Sequence, residues 1–229
     1  AIAHYVAVDE FRANRVREAL GPNTSISIVP NAVDLSRFAP HGLSAARRAL
    51  CILKRGGLER TRQVISRAAA QTGWSVEFAG PGAGAEILNM PDTLRQFDLV
   101  VTSGRCALEA LAMGRAVIAS DGNRLGGLVT GETWADLRRN NLGLNAMTMD
   151  LDDTSAIDAF ARVDVERSAT FANQVRDELD LEPRVGDIES LYRRVHRTHD
   201  PLVDRATRAA WAADIAQVAT NCSAHHLAH

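Results

Sequence analysis

Residues 99–120, Leu-Val-Val-Thr-Ser-Gly-Arg-Cys-Ala-Leu-Glu-Ala-Leu-Ala-Met-Gly-Arg-Ala-Val-Ile-Ala-Ser, constrain this chain more than any other stretch. An apolar run, Leu99 to Val101, stops at a Thr-Ser-Gly turn. A short helical pattern with a single acid, Glu109, follows, and Gly114 closes it before a second apolar run, Ala116 to Ala119. That is a strand-helix-strand unit, and parallel sheets bind ligands where such strands end. A turn at Ser103-Gly104 would aim N–H groups of the helix start at a phosphate, while Glu109 on the helix behind it can accept hydrogen bonds from sugar hydroxyls. A nucleoside diphosphate offers both partners.

The rest of the chain repeats the alternation. Strands are predicted over 46–53 and 74–79, with a helix over 59–71 between them. The turn Gly80-Pro81-Gly82-Ala83-Gly84 then leads to a short strand at 85–90 and a brief helix at 91–96. Short apolar runs alternating with helical patterns predict an α/β fold, a doubly wound parallel sheet. After a loop at 121–127 come a helix over 132–140, a short strand at 144–149, and two long helices over 154–180 and 186–197 separated by Glu182-Pro183. A weakly amphipathic tail over 202–220 ends the pattern. At the start, 2–8 reads as a strand, 9–20 as a helix stopped by Gly21-Pro22, and 25–29 as a strand. We expect residues 1–30 to form an incomplete strand-helix-strand flap outside the main sheet.

Composition narrows the function classes. The 229 residues carry a net charge of −2, which argues against a nucleic acid or a membrane surface as main partner, since both reward excess basic charge. No run approaches about 18 apolar residues, so no integral membrane segment is expected. Cys51, Cys106 and Cys222 are too scattered for a disulfide framework or a zinc site and fit reduced thiols in a cytoplasmic protein. His196 with His199, and His225 with His226, lack a carboxylate at ligand spacing and read as surface histidines, so no metal is expected. Asp150, Asp152 and Asp153 read as a loop ending in helix-capping acids. No Ser-His-Asp or Cys-His arrangement can be argued, so the catalytic residues are unknown.

The stretch Leu-Glu-Ala-Leu-Ala-Met-Gly-Arg-Ala-Val-Ile, residues 108–118, resembles the donor-binding half of GT-B glycosyltransferases, whose Glu-Ala-Met-Ala-x-Gly-x-Pro-Val segment uses its Glu to hold the ribose of the nucleotide. Many members carry another Glu eight residues earlier. Here that position is Val101, and the shorter Ser-Gly-Arg-Cys loop is similar to the branch that adds N-acetylglucosamine to lipid I, so no sugar contact from that acid carries over. Residues 28–40, Ile-Val-Pro-Asn-Ala-Val-Asp-Leu-Ser-Arg-Phe-Ala-Pro, resemble the Pro-Asn-Gly-Val-Asp-x-x-x-Phe-x-Pro segment linking the two halves of family 4-like members.

The resemblance implies that 1–40 is the remnant of an acceptor domain with its linker, 41–200 a Rossmann-like nucleotide-sugar-binding domain, and 201–229 a C-terminal helix and tail. A preceding acceptor domain is then missing from this piece. It further implies that Glu109, Ser103 and Gly104 bind the nucleotide. Lys54 and Arg55 end the first core strand, where the family often sets a basic residue against the donor diphosphate. The family's later Lys-Gly is absent, so Arg60 is an alternative for the second basic role. Gly80 and Gly82 match a Gly-x-Gly turn that walls the pocket, and Gly126-Gly127 match a loop near the sugar. No cofactor or divalent metal is implied, only a nucleoside-diphosphate sugar as donor and an acceptor of unknown identity. The alternatives are a non-catalytic nucleotide-sugar-binding module, and a nucleotide-sugar hydrolase or epimerase on the same scaffold.

Overall fold

Apolar runs with no polar face are stable only when both sides of their sheet are covered. A computed structural model, which describes residues 4–43, 46–54 and 59–198, shows how this chain covers them. At the start, β1 (Tyr5–Ala7), α1 (Glu10–Leu20) and β2 (Ile26–Ile28) form a strand-helix-strand unit whose two strands pair in parallel as a sheet of their own. Asp9 caps α1 by accepting from Arg12 N–H, and Gly21, with φ of 105°, ends it. This matches the expected flap.

The main sheet follows. Its strands are β3 (Arg48–Ile52), β4 (Ser75–Ala79), β5 (Leu99–Thr102), β6 (Ala116–Ser120), β7 (Arg124–Leu128) and β8 (Met149–Asp150), in the spatial order β4-β3-β5-β6-β7-β8. Pairing is parallel from β4 to β6 and antiparallel on both sides of β7. The helices are α2 (Glu59–Gln71), α3 (Met90–Leu94), α4 (Gly104–Ala112), α5 (Trp134–Arg139), α6 (Asp153–Ala161), α7 (Val165–Val175) and α8 (Leu181–Thr198).

Two-residue alternation along each strand builds two cores. Ala49, Cys51, Leu99, Val101 and Ile118 pack with Ile65 and Ala68 of α2 and Phe160 of α6. Leu50, Ile52, Val100, Val117 and Ala119 pack with Leu108 and Leu111 of α4, Leu94 of α3, Leu137 of α5 and Val175 of α7. The sheet is therefore doubly wound, as predicted. Each fully buried Leu here stabilises the fold by about 1.5–3 kcal/mol, so Leu108→Ala would open a cavity under α4 and loosen the helix that carries Glu109.

The segment after β2 is tied down by arginines. Arg138 donates to Asn31 O (3.1 Å), Arg176 to Leu35 O (2.9 Å) and Phe38 O (3.1 Å), and the fully buried Arg115 to Gly42 O and Phe97 O. Val33 bridges to Asp180 through hydrogen bonds with Leu179 and Leu181. A linker with so many backbone carbonyls occupied holds a fixed path against the elements that carry these arginines.

Four local expectations fail, each for a stated reason. The 85–90 stretch is no strand, because only Ala85 pairs, with Gly80, closing the glycine turn on itself. The 144–149 strand shrinks to a single helical turn, Leu144–Ala146, followed by the two-residue β8. The predicted 154–180 helix breaks at 162–164, where Asp164 leaves helical geometry to accept from Arg167 N–H and cap α7. Pro183 does not separate helices but sits in the first turn of α8, where a missing N–H has no partner to lose. Residues 199–229, with the predicted tail helix, His199, His225, His226 and Cys222, lie outside the described residues.

Candidate functional site

The strand order places β4 and β5 on opposite sides of β3, so the chain reverses direction across the sheet at the gap between the carboxyl ends of β3 and β5. A crevice opens at such a switch point. Lys54 follows β3 and Ser103 follows β5, and the two meet there: Lys54 Nζ donates to Ser103 O at 2.5 Å and lies 3.4 Å from Ser103 Oγ. Lys54 is exposed although its partner Ser103 is buried.

Ser103 is the N-cap of α4 but its side chain makes no capping bond. Gly104 has φ of 58°, and a Cβ there would stand 3.6 Å from Lys54 Nζ, so a glycine keeps the turn unstrained and the crevice open. Its N–H is already used, donating to Leu142 O at 2.6 Å. The donors this turn can offer a ligand are therefore the following N–H groups of the first helical turn, which have no partner within a helix, rather than that of Gly104. Beneath them, Thr102 Oγ1 is buried with no hydrogen-bond partner among the described residues.

Glu109 stands one turn further along α4 and is only 9% exposed. Burial raises its carboxyl pKa above the ordinary value, and the charges of Arg105, Arg37 and Lys54 oppose that rise. Arg105 Nε lies 3.3 Å from Glu109 Oε1, an i to i+4 pair whose arginine is 71% exposed and so can swing away at little cost. Cys106 shares this neighbourhood. Burial pushes its thiol up, Lys54 pulls it down and Glu109 pushes it up again, so it stays a thiol.

Other expected residues take different parts. Gly80, with φ of 94°, would place a Cβ 2.6 Å from Leu53 O, and the N–H of Gly82 donates to that same carbonyl at 2.8 Å. The N–H of Gly80 donates to Ala85 O. This glycine turn thus braces the end of β3 next to Lys54 with its own donors occupied. Arg60 is exposed on α2, and its charge adds a minor lowering of the Asp152 carboxyl that caps α6. Gly126 and Gly127 are not in a loop but inside β7, and Gly126 packs so tightly that a Cβ would lie 3.0 Å from both Ala146 O and Leu137 Cδ2. Arg55 lies outside the described residues.

Asp152 caps α6, Asp153 pairs with Arg67 at 2.8 Å and Asp150 lies 4.0 Å from Arg124. Among the described residues no group of three or more His, Cys, Asp and Glu could hold a metal ion, and no helix is long and apolar enough to cross a membrane. A cavity of about 270 Å³ lined by Thr130, Arg167 and Phe171 lies at the opposite edge of the sheet and touches none of the expected residues.

Sequence reasoning missed Arg105, Arg37, Thr102 and Leu142. The i to i+4 spacing of Arg105 and Glu109 was a readable signal. Nothing in the sequence announces that Leu142 O reaches back to Gly104.

No protein-family model matches this chain, and neither does any curated protein sequence. Among solved structures, a sucrose-phosphate synthase from Thermosynechococcus elongatus superposes with a TM-score of 0.58 at 16% identity, over 86% of this chain and 59% of its own. A glycosyltransferase from Rickettsia africae superposes with a TM-score of 0.54 at 12% identity, over 85% of this chain and 64% of its own. The chain thus spans about three fifths of the glycosyltransferases it resembles and shares their fold.

Proposed function

We propose that this chain is the donor-binding half of a GT-B-type glycosyltransferase and that the crevice between β3 and β5 holds the nucleoside diphosphate of a nucleotide sugar. The observation that carries this reading is the convergence of Lys54, the opening turn of α4 and Glu109 at the switch point of the sheet. The diphosphate lies against the Lys54 ammonium and the N–H groups that start α4, which supply charge without a metal ion. The ribose diol donates to the Glu109 carboxylate, and Arg105 moves aside to admit it.

The same groups suit the chemistry. As the bond from the sugar to the diphosphate breaks, negative charge grows on the leaving phosphate. A fixed ammonium and a helix start, already aimed there, stabilise that charge more than they stabilise the bound donor. Activation of the acceptor hydroxyl is assigned to an acceptor domain outside this chain. The chain alone therefore binds donor and transfers sugar poorly.

Calorimetric titration with UDP and GDP tests this directly. We expect saturable binding of at least one of them, weakened by Lys54→Met. Absence of binding by both, or robust transfer to an acceptor by this chain alone, would overturn the assignment.

A further inference from the structure

A second cavity, of about 290 Å³, lies between the start unit and the main domain, where the end of β2 meets α8. Its polar lining holds the hydroxyls of Ser190 and of Ser27, the latter also 2.9 Å from His4 Nε2, and the guanidiniums of Arg184 and Arg194. One acid, Asp187, shares the wall and pairs with Arg184 Nη1 at 3.1 Å. The Nε–H of Arg184 is buried and has no hydrogen-bond partner among the described residues. The side chain as a whole is one third exposed, but this N–H is cut off from solvent, and an unmet buried donor is costly and calls for an acceptor.

The surroundings add to the demand. Arg138, which ties the linker at Asn31, is partly desolvated, and burial followed by the nearby Arg184 charge lowers its pKa, with Glu178 opposing. Three arginines thus gather around the junction, against the carboxylates of Asp187 and Glu178. Guanidinium forks match the oxygens of tetrahedral oxyanions, and serine hydroxyls complete such a shell.

We infer that this junction cavity binds a phosphate group, either free phosphate or the phosphate end of a small phosphorylated molecule, through Arg184, Arg194, Ser27 and Ser190. Bound there, the anion links β2 to α8 and holds the start unit against the main domain. The site is independent of the nucleotide crevice, which uses none of these residues.

The test is titration of the intact chain at constant ionic strength with inorganic phosphate and, in a second arm, with glucose 6-phosphate. Calorimetry and the NMR signal of the Arg184 Nε–H supply the readouts. We expect saturable binding that shifts this signal. Tighter binding of the sugar phosphate identifies a phosphorylated metabolite as occupant, and equal affinity identifies phosphate itself. Arg184→Gln should weaken binding by about tenfold or more. Ser190→Asp, which sets a negative charge in the cavity without removing an arginine, should weaken it similarly. Both variants should bind UDP or GDP as the parent does, whereas Lys54→Met should retain phosphate at the junction. Purely non-saturable binding, an unmoved Arg184 signal, or unchanged affinity in both variants overturns the inference and leaves the nucleotide crevice untouched.

Discussion

Two glycine turns at the carboxyl edge of the sheet look alike in sequence and differ in what they leave available. The turn at Gly80–Gly84 has its backbone donors engaged, with Gly82 N–H on Leu53 O and Gly80 N–H on Ala85 O. The turn at Ser103–Gly104 engages one donor, on Leu142 O, and leaves the helix start facing an exposed lysine. Glycine after a strand therefore says only that the backbone needs freedom. Whether it serves a ligand or a brace depends on where each N–H goes.

The largest effect should come from forcing the bracing turn. Gly80→Ala puts a Cβ into Leu53 O at a positive φ, and we expect destabilisation of about 3 kcal/mol or more. Gly104→Ala meets only Lys54 Nζ, at 3.6 Å in ordinary contact, and should cost only about 1–2 kcal/mol through its left-handed backbone. Chemical denaturation of both variants checks the contrast, and equal losses would erase the distinction between the turns.

Ligand binding should divide the other way. Glu109→Ala removes up to two hydrogen bonds to an ionised acid, so affinity for UDP or GDP should fall by about tenfold to a few hundredfold with circular dichroism unchanged. Glu109→Gln should lose less, because its carbonyl still accepts. Calorimetry on both variants reads the effect, and an unchanged alanine variant removes the ribose role. Lys54→Met should weaken diphosphate binding about tenfold while barely changing the affinity for the nucleoside, since the ammonium acts on phosphate charge.

The smallest effect is on stability against pH. Burial holds the Glu109 carboxyl above its ordinary value of 4.5, so the folded chain keeps this proton to higher pH than the unfolded chain does. Its contribution is fully favourable below the unfolded pKa and is lost as pH rises through the folded pKa. Glu109→Gln should therefore melt slightly higher than the parent at pH 7, with the gap closing as pH falls below about 4.5. Melting curves across pH 4–8 (roughly the window set by that linkage) decide it; a variant that melts lower at pH 7 would mean that the Arg105 pair outweighs desolvation.

Much of this architecture was legible in the chain. The helix predicted over 59–71 forms as Glu59–Gln71, and Val64, Ile65, Ala68 and Ala69, at helical spacing, are its buried face. The apolar runs at 99–101 and 116–119 lie in β5 and β6 for the same reason. Gly126-Gly127 misled, since paired glycines usually break a strand. Here pairing with β6 and the tight space beside Ala146 and Leu137 favour residues without side chains. At the candidate site, Ser103 and Glu109 were singled out from the turn and helix after a strand and Lys54 from the family resemblance, and the structure brings Lys54 against Ser103. The hydrogen bond from Gly104 to Leu142 and the linker approach of Arg37 depend on long-range packing that no local pattern encodes.

Lys54 is the only lysine in the chain, which makes its ε-amine a single internal reporter in the middle of the crevice. The most direct test measures the rate at which a small amine-reactive reagent modifies Lys54, mapped by mass spectrometry, as UDP or GDP is added to the parent and to Glu109→Ala. The account predicts protection of Lys54 that saturates at the nucleotide affinity and shifts to higher concentration in the alanine variant. Nucleotide binding with an undiminished rate at Lys54 would place the ligand elsewhere and contradict the assignment of the β3–β5 crevice.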